Sequence, residues 1–361
     1  MNGLGFVISV GQFRGRTRPV CRKSKEWKPE GLLYGLVERK FDEIEKLEKI
    51  LKERPDHPLA LRANFAEADA TEGSLYRALR RADGRLGIVA ELKKRHPVHP
   101  GEEPLRILDY DQDLVKIVAN TTAEWGCDAT LVWTDGEQYE GDLNHLAAAG
   151  SQLKIPLIRG DFVVHPLQIA EASLCGAKAV LIIAGACLPD LESLLNSATL
   201  MGLEAIVEVH TDIELAFAVE AGAAIILLSN LNRATNQEEA MTAERLRPSI
   251  PDFIITAAGG GYSSAGECYD LLDMGFDAVV LGRTLFNTRH GEQLVKEIQS
   301  RRADLSTNFF RGFGLDPGAD TKPFEPVLAE EDLPEFDIED DSSGAEALQP
   351  DLQSLDGDEK V

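Results

Sequence analysis

Eight short apolar runs recur along the chain, and few folds accommodate that many. They are Leu86–Ala90, Ala129–Trp133, Ile155–Ile158, Ala179–Ile183, Ala205–Val209, Ala224–Leu228, Phe253–Ala257 and Ala278–Leu281. Each is rich in Val, Ile and Leu without clear alternation, the pattern of a strand buried on both faces. Between most of them lie segments with helical spacing of Ala, Leu and Glu. Several of these segments end in glycine before the next run (Gly176, Gly202, Gly222, Gly275), as helix C-termini commonly do. Repetition of one β-α unit predicts a closed (β/α)8 TIM barrel. A doubly wound open sheet is the competitor, but no G-x-G-x-x-G follows the first run. In a barrel, chemistry sits where the strands end.

The chain has 361 residues, enough for one barrel of about 250 residues with extensions. We divide it into a basic leader over 1–29, the barrel with an N-terminal helical extension over 30–303, and an acidic tail over 304–361. No apolar run approaches the roughly 20 residues that span a bilayer. Five scattered cysteines without a C-x-x-C read as reduced, structural thiols. The net charge of −24 is concentrated at one end, since residues 320–361 hold 15 acidic and 2 basic side chains. This tail is poor in large apolar residues and reads as disordered. Its bland role is solvation. Its sharper role is docking a basic protein partner, with Phe336 and Ile338 as anchors. Overall acidity argues against nucleic-acid binding, which needs a basic face.

The first 25 residues contain no acid and include Arg14, Arg16, Arg18, Arg22, Lys23 and Lys25. Such a leader reads as an organelle transit segment, with a plastid as the expected destination and a flexible basic arm as the alternative. Leu33, Leu36, Val37, Phe41, Ile44, Leu47 and Leu51 then recur at spacings of three and four, predicting an amphipathic helix over Leu32–Glu53. Ser74–Arg81 is a second helical candidate before the first strand.

The strand ends differ in chemistry. Glu91 and Lys93 follow the first run two apart, so they share a face. Together inside a barrel mouth they can keep each other ionised and move protons. Glu208 lies near the end of the fifth strand, where a carboxylate is costly unless paired or used. Gly259-Gly260-Gly261 follow the seventh run, and Gly282-Arg283 follow the eighth. Glycines let backbone N–H groups approach an anion, and these two turns form the usual barrel phosphate site.

In this order the motifs resemble the indole-3-glycerol-phosphate synthase family, over about residues 30–287. The segments are IVAELKK (Ile88–Lys94), TDGEQYEG (Thr134–Gly141), IPLIRGDFVVHPLQIAEA (Ile155–Ala172), GAKAVLIIA (Gly176–Ala184), GLEAIVEVH (Gly202–His210) and DAVVLGRTL (Asp277–Leu285). The resemblance implies ring closure of a phosphorylated, carboxylated anilino-deoxyribulose, with loss of carbon dioxide and water, in tryptophan biosynthesis. It implies a phosphorylated small-molecule ligand and no metal or organic cofactor. Carried over by position, Glu91, Lys93 and Glu208 are catalytic. Tyr139 packs on the substrate, and Gly259, Gly260, Gly282 and Arg283 hold phosphate. A one-residue bulge after the sixth strand would present Asn230 and Arg233 to the ligand carboxylate.

The departures are as specific as the matches. The family's third-strand lysine, the general acid, is Gly160 here, and Arg159 beside it points to the opposite face. The family's seventh-strand Glu-Ser pair is Ala257-Ala258. Two readings follow. One is a synthase whose remaining groups, Lys93 as proton donor and Glu208 as base, sustain a weak reaction. The other is a catalytically inactive barrel that senses a phosphate ligand or serves as a structural or regulatory subunit.

Overall fold

The computed structural model describes residues 27–64, 73–80, 83–96, 103, 105–286 and 290–303. The leader up to Glu26 and the tail from 304 lie outside the described residues. Eight parallel strands close into a barrel: β1 (Gly87–Leu92), β2 (Ala129–Trp133), β3 (Leu157–Gly160), β4 (Ala179–Ile183), β5 (Glu204–Val209), β6 (Ile225–Ser229), β7 (Ile255–Gly259) and β8 (Ala278–Leu281). Each pairs with its neighbours in sequence, and β1 closes on β8 through Gly87↔Ala278 to Ala90↔Leu281. Among the described residues no helix is long and apolar enough to cross a membrane.

Two strands start two residues later than their apolar runs suggest. Ile155 and Pro156 precede β3, since proline has no N–H for the ladder. Phe253 is 68% exposed in a turn closed by Ile254 N–H to Pro251 O, and β7 begins after it. Gly259 is therefore the last residue of β7 rather than part of the following loop.

Alternation along the strands sorts the core into two layers. Val89, Leu131, Trp133, Ile158, Leu181, Ile206, Leu227 and Ile255 fill the barrel interior. Ile88, Ala90, Val132, Val180, Val207 and Leu228 face the surrounding helices. A short helix, α2 (Ser74–Leu79), closes the bottom of the barrel with the fully buried Leu75 and Leu79. Glu204, at the start of β5, accepts hydrogen bonds from the N–H groups of Leu75 (2.7 Å) and Tyr76 (2.8 Å). It thus satisfies two of the orphan donors at the start of α2. Glu204→Ala should lower stability by about 1–2 kcal/mol in chemical denaturation, the usual scale for loss of a helix cap.

The amphipathic helix α1 forms over Leu32–Glu53, with Leu33, Val37, Phe41, Ile44 and Leu51 buried. Its Leu33, Val37 and Phe41 join the interior cluster beside Tyr139 and Phe162, which follow β2 and β3. α1 therefore flanks the mouth of the barrel, and α2 seals the base.

Candidate active site

The alternation that buries Val89 inside the barrel also turns Glu91 and Lys93 inward. Lys93 Nζ lies 2.7 Å from Glu91 Oε2, and Trp133 Nε1 donates to Glu91 Oε1 at 2.7 Å. Burial alone would raise the Glu91 pKa. The charge and hydrogen bond of Lys93, with the Trp133 donor, outweigh it and hold the carboxyl below its ordinary range.

Glu208 enters from β5 and is bound side-on by Arg233, with Nε to Oε1 at 2.6 Å and Nη2 to Oε2 at 2.9 Å. Arg233 Nη1 donates to the Tyr139 hydroxyl. The guanidinium lies 5.0 Å from the centroid of the Trp133 ring, within cation–π range. Tyr139 stacks on Trp133 with ring centroids 3.8 Å apart. The last residue of α3 (Gly136–Tyr139), Tyr139 is itself buried. Much of its ring face is therefore taken by Trp133.

Arg233 reaches the mouth by a different route from the expected bulge. A small hairpin pairs Leu231–Asn232 with Gln237–Glu238, and Arg233 stands in its turn. The turn is tied to the start of α1 by Leu32 N–H to Ala234 O, 2.8 Å. The backbones meet so closely there that a side chain on Gly31, whose φ is +54°, would collide with the Ala234 carbonyl. Asn230 does not come with it. Ser229 lines the mouth, so alternation turns Asn230 away. Its side-chain Oδ1 accepts from Ala243 N–H (2.9 Å), and its Nδ2 donates to Gly260 O (3.2 Å) and Tyr262 Oη (3.3 Å). Asn230 braces the loops and is not among the residues that line the mouth.

Gly259, Gly260, Gly261, Gly282 and Arg283 line the same cavity. Gly260 and Gly261 have φ near +90° and +84°, where only glycine is unstrained. A side chain on Gly282 would collide with the Glu91 carboxylate. Further lining residues that the sequence did not mark as site candidates include Trp133, His96 and Glu238. Burial, reinforced by Lys93, lowers His96 to about 4, so it is neutral at pH 7.

At Gly160 a side chain would have to displace its neighbours. A Cβ there would stand 2.7 Å from Leu131 Cδ2 and 3.1 Å from Trp133 Cδ2. Trp133 and Gly160 are register partners on adjacent strands, so the indole fills the level that position 160 leaves empty. Arg159 faces outward, pairing with Asp161 (2.8 Å) and Glu171 (3.0 Å). Asp161 also takes Lys40 of α1 at 3.0 Å, and Lys40 reaches Asp135 at 2.8 Å. Asp135 caps α3 by accepting from Gln138 N–H at 2.6 Å.

The space left between the mouth side chains is small, about 70 Å³, against roughly 300–1,000 Å³ for pockets that enclose a drug-sized ligand. A second cavity of about 490 Å³ lies against the first turns of α1, lined by Leu32, Leu36, Arg39, Tyr139 and Phe162. Arg233 lines both.

Residues 36–298 match the family model described as indole-3-glycerol phosphate synthase. Proteins of that name from several organisms are similar in sequence. That of Chlorobium luteolum is 35% identical over 248 residues, 66% of this chain and 92% of the relative. That of Chlorobium phaeovibrioides is 31% identical over 254 residues, 70% and 93%. That of Chlorobaculum tepidum is 31% identical over 255 residues, 70% and 94%. With the closed eight-stranded barrel and its N-terminal helix, the match places the chain in the indole-3-glycerol phosphate synthase family.

Proposed function

We propose that the protein closes the pyrrole ring of carboxyphenylamino-deoxyribulose phosphate, with decarboxylation and dehydration, at a reduced rate. The observation that carries this reading is the Lys93 ammonium, 2.7 Å from Glu91 and inside the mouth that the glycine turns also line. Lys93 donates a proton to the ketone oxygen as the ring carbon attacks the ketone carbon. The ring carboxylate leaves as carbon dioxide, its bonding electrons returning to the aryl ring. In the second half Glu208 takes the proton lost from the carbon next to the former ketone carbon, and the hydroxyl leaves as water with a second proton, delivered by Lys93 after it is reprotonated from solvent; this requires the two hydrogen bonds from Arg233 to Glu208 to loosen. The phosphate binds at Gly259–Gly261 and Gly282–Arg283. The aryl ring extends past Arg233 into the cavity beside α1, since the mouth alone is too small for the whole molecule.

The closed space at Gly160 favours a second reading, a phosphate-ligand barrel without turnover that acts as a sensor or regulatory subunit. One general acid commonly contributes 10²- to 10⁴-fold, and position 160 supplies none. On either reading the basic leader directs the chain to a plastid and the acidic tail serves a protein partner, both supported by composition.

Complementation of a tryptophan auxotroph lacking the synthase, with the leader removed, decides between them. Slow growth is expected, and it should disappear with Lys93→Ala and with Glu208→Gln while both proteins remain folded. Growth that survives both substitutions excludes the assigned roles. A folded wild-type protein that supports no growth sides with the non-catalytic reading.

A further inference from the structure

The hairpin that delivers Arg233 also delivers a carboxylate. Glu238 pairs with Leu231 across the hairpin, which turns its side chain over the loop after β7. Glu238 Oε2 lies 3.2 Å from the position a Cβ on Gly261 would occupy, so the carboxylate rests against the glycine turn itself. His96 Nε2 is 4.0 Å from Oε1. Being neutral, that imidazole supplies no opposing charge. Arg283, Gly282 and Lys93 line the same cavity from the other side. A turn suited to an anion therefore has an anionic side chain resting against it. The hairpin strands are two residues long and tied to α1 through Ala234, so the side chain is positioned by a small separate element and not by the barrel.

We propose that Glu238 holds down the affinity of the glycine turns for phosphate, so that a ligand must displace its carboxylate to bind. This rests on the reading that Gly259–Gly261 and Gly282–Arg283 form the phosphate site. Like charges brought together at a binding surface oppose binding. The Glu238 side chain is 41% exposed and can swing towards water, so the effect on affinity is modest, roughly tenfold.

The test is calorimetric titration of the whole protein with inorganic phosphate, at low and high salt. Glu238→Gln should bind about tenfold tighter than the wild type, with the gain shrinking at high salt as screening grows. Glu239→Gln removes the same charge from the next position, whose carboxylate pairs with His210 (3.3 Å) instead; it should leave affinity unchanged. Glu238→Ala repeats the measurement should the amide form a new hydrogen bond to phosphate. Phosphate binding that is equal or weaker in both Glu238 variants overturns the inference alone and leaves the phosphate site standing. An equal gain in Glu239→Gln also overturns it, because net charge would then suffice. Absence of phosphate binding in the wild type and in both Glu238 variants overturns the inference and the phosphate reading together.

Discussion

Lys40→Met should destabilise the protein by about 3 kcal/mol, measured by denaturant unfolding at pH 7. Lys40 is 4% exposed, and its ammonium sits between Asp135 and Asp161, both also buried. Removing one member of a buried ionic cluster strands the others, which typically costs about 3–5 kcal/mol. The lower figure applies because Arg39 still reaches Asp135 (2.9 Å) and Arg159 still reaches Asp161 (2.8 Å). Methionine keeps most of the stem, so the loss reports charge and not packing. Adding Asp135→Asn, which keeps the oxygen that caps α3, should restore part of the loss. Strict additivity of the two substitutions would show that they do not share one cluster.

The pH dependence of this cluster has a definite sign. Burial would raise Asp161, but Arg159, then Lys40, with the Thr134 hydroxyl, hold it well below the carboxylate range. A carboxylate depressed on folding stabilises above its unfolded value, near 3.9, and loses that contribution as pH falls further. Burial would lower Lys40, but Asp161 and Asp135 raise it above its ordinary value. That contribution is complete below the unfolded value, near 10.4, and fades as pH rises through the folded one. The difference between wild type and Lys40→Met should therefore be flat from about pH 5 to about pH 10 and narrow outside it.

How much of this was legible depended on whether a residue's role is set by its own strand. That Glu91 and Lys93 share a face follows from alternation alone, and so does the opposite facing of Arg159 and position 160; that the shared face is the inner one, and that Asn230 turns away from the mouth, shows only in the folded chain. Trp133 obeys the same rule, two positions after Leu131, but an aromatic at a strand end reads as core unless its indole partner is known. Arg233 and Glu238 are placed by a hairpin of four paired residues, too short and too polar to show a period. The position of its turn is tied to α1, a contact made only in the folded chain. Lys40 looks like one more charge among the Glu and Lys of an amphipathic helix. Its burial is decided by aspartates in loops after β2 and β3, far along the sequence.

Gly160→Lys should neither restore a fast ring closure nor leave the stability unchanged. The substitution returns the residue the family uses as general acid, so its failure would be informative. Its Cβ would press on Leu131 and Trp133 at 2.7 and 3.1 Å, and overpacking of this kind costs about 1–3 kcal/mol. The new ammonium would also enter a mouth whose Glu91 and Glu208 already pair with Lys93 and Arg233, which adds a desolvation cost. We therefore expect a loss of about 3 kcal/mol or more for the single substitution. Trp133→Leu alone is also costly, because it opens a cavity and removes the donor to Glu91. Combined, the two should be less harmful than their sum by about 1–3 kcal/mol, since the leucine vacates the volume the lysine needs. A cycle that closes additively would mean that Trp133 does not fill the place of the absent side chain. A positive coupling energy accompanied by faster turnover in the double variant would identify Trp133 and Gly160 as one joint replacement: a large residue on β2 has taken the space, and removed the chemistry, of a lysine on β3.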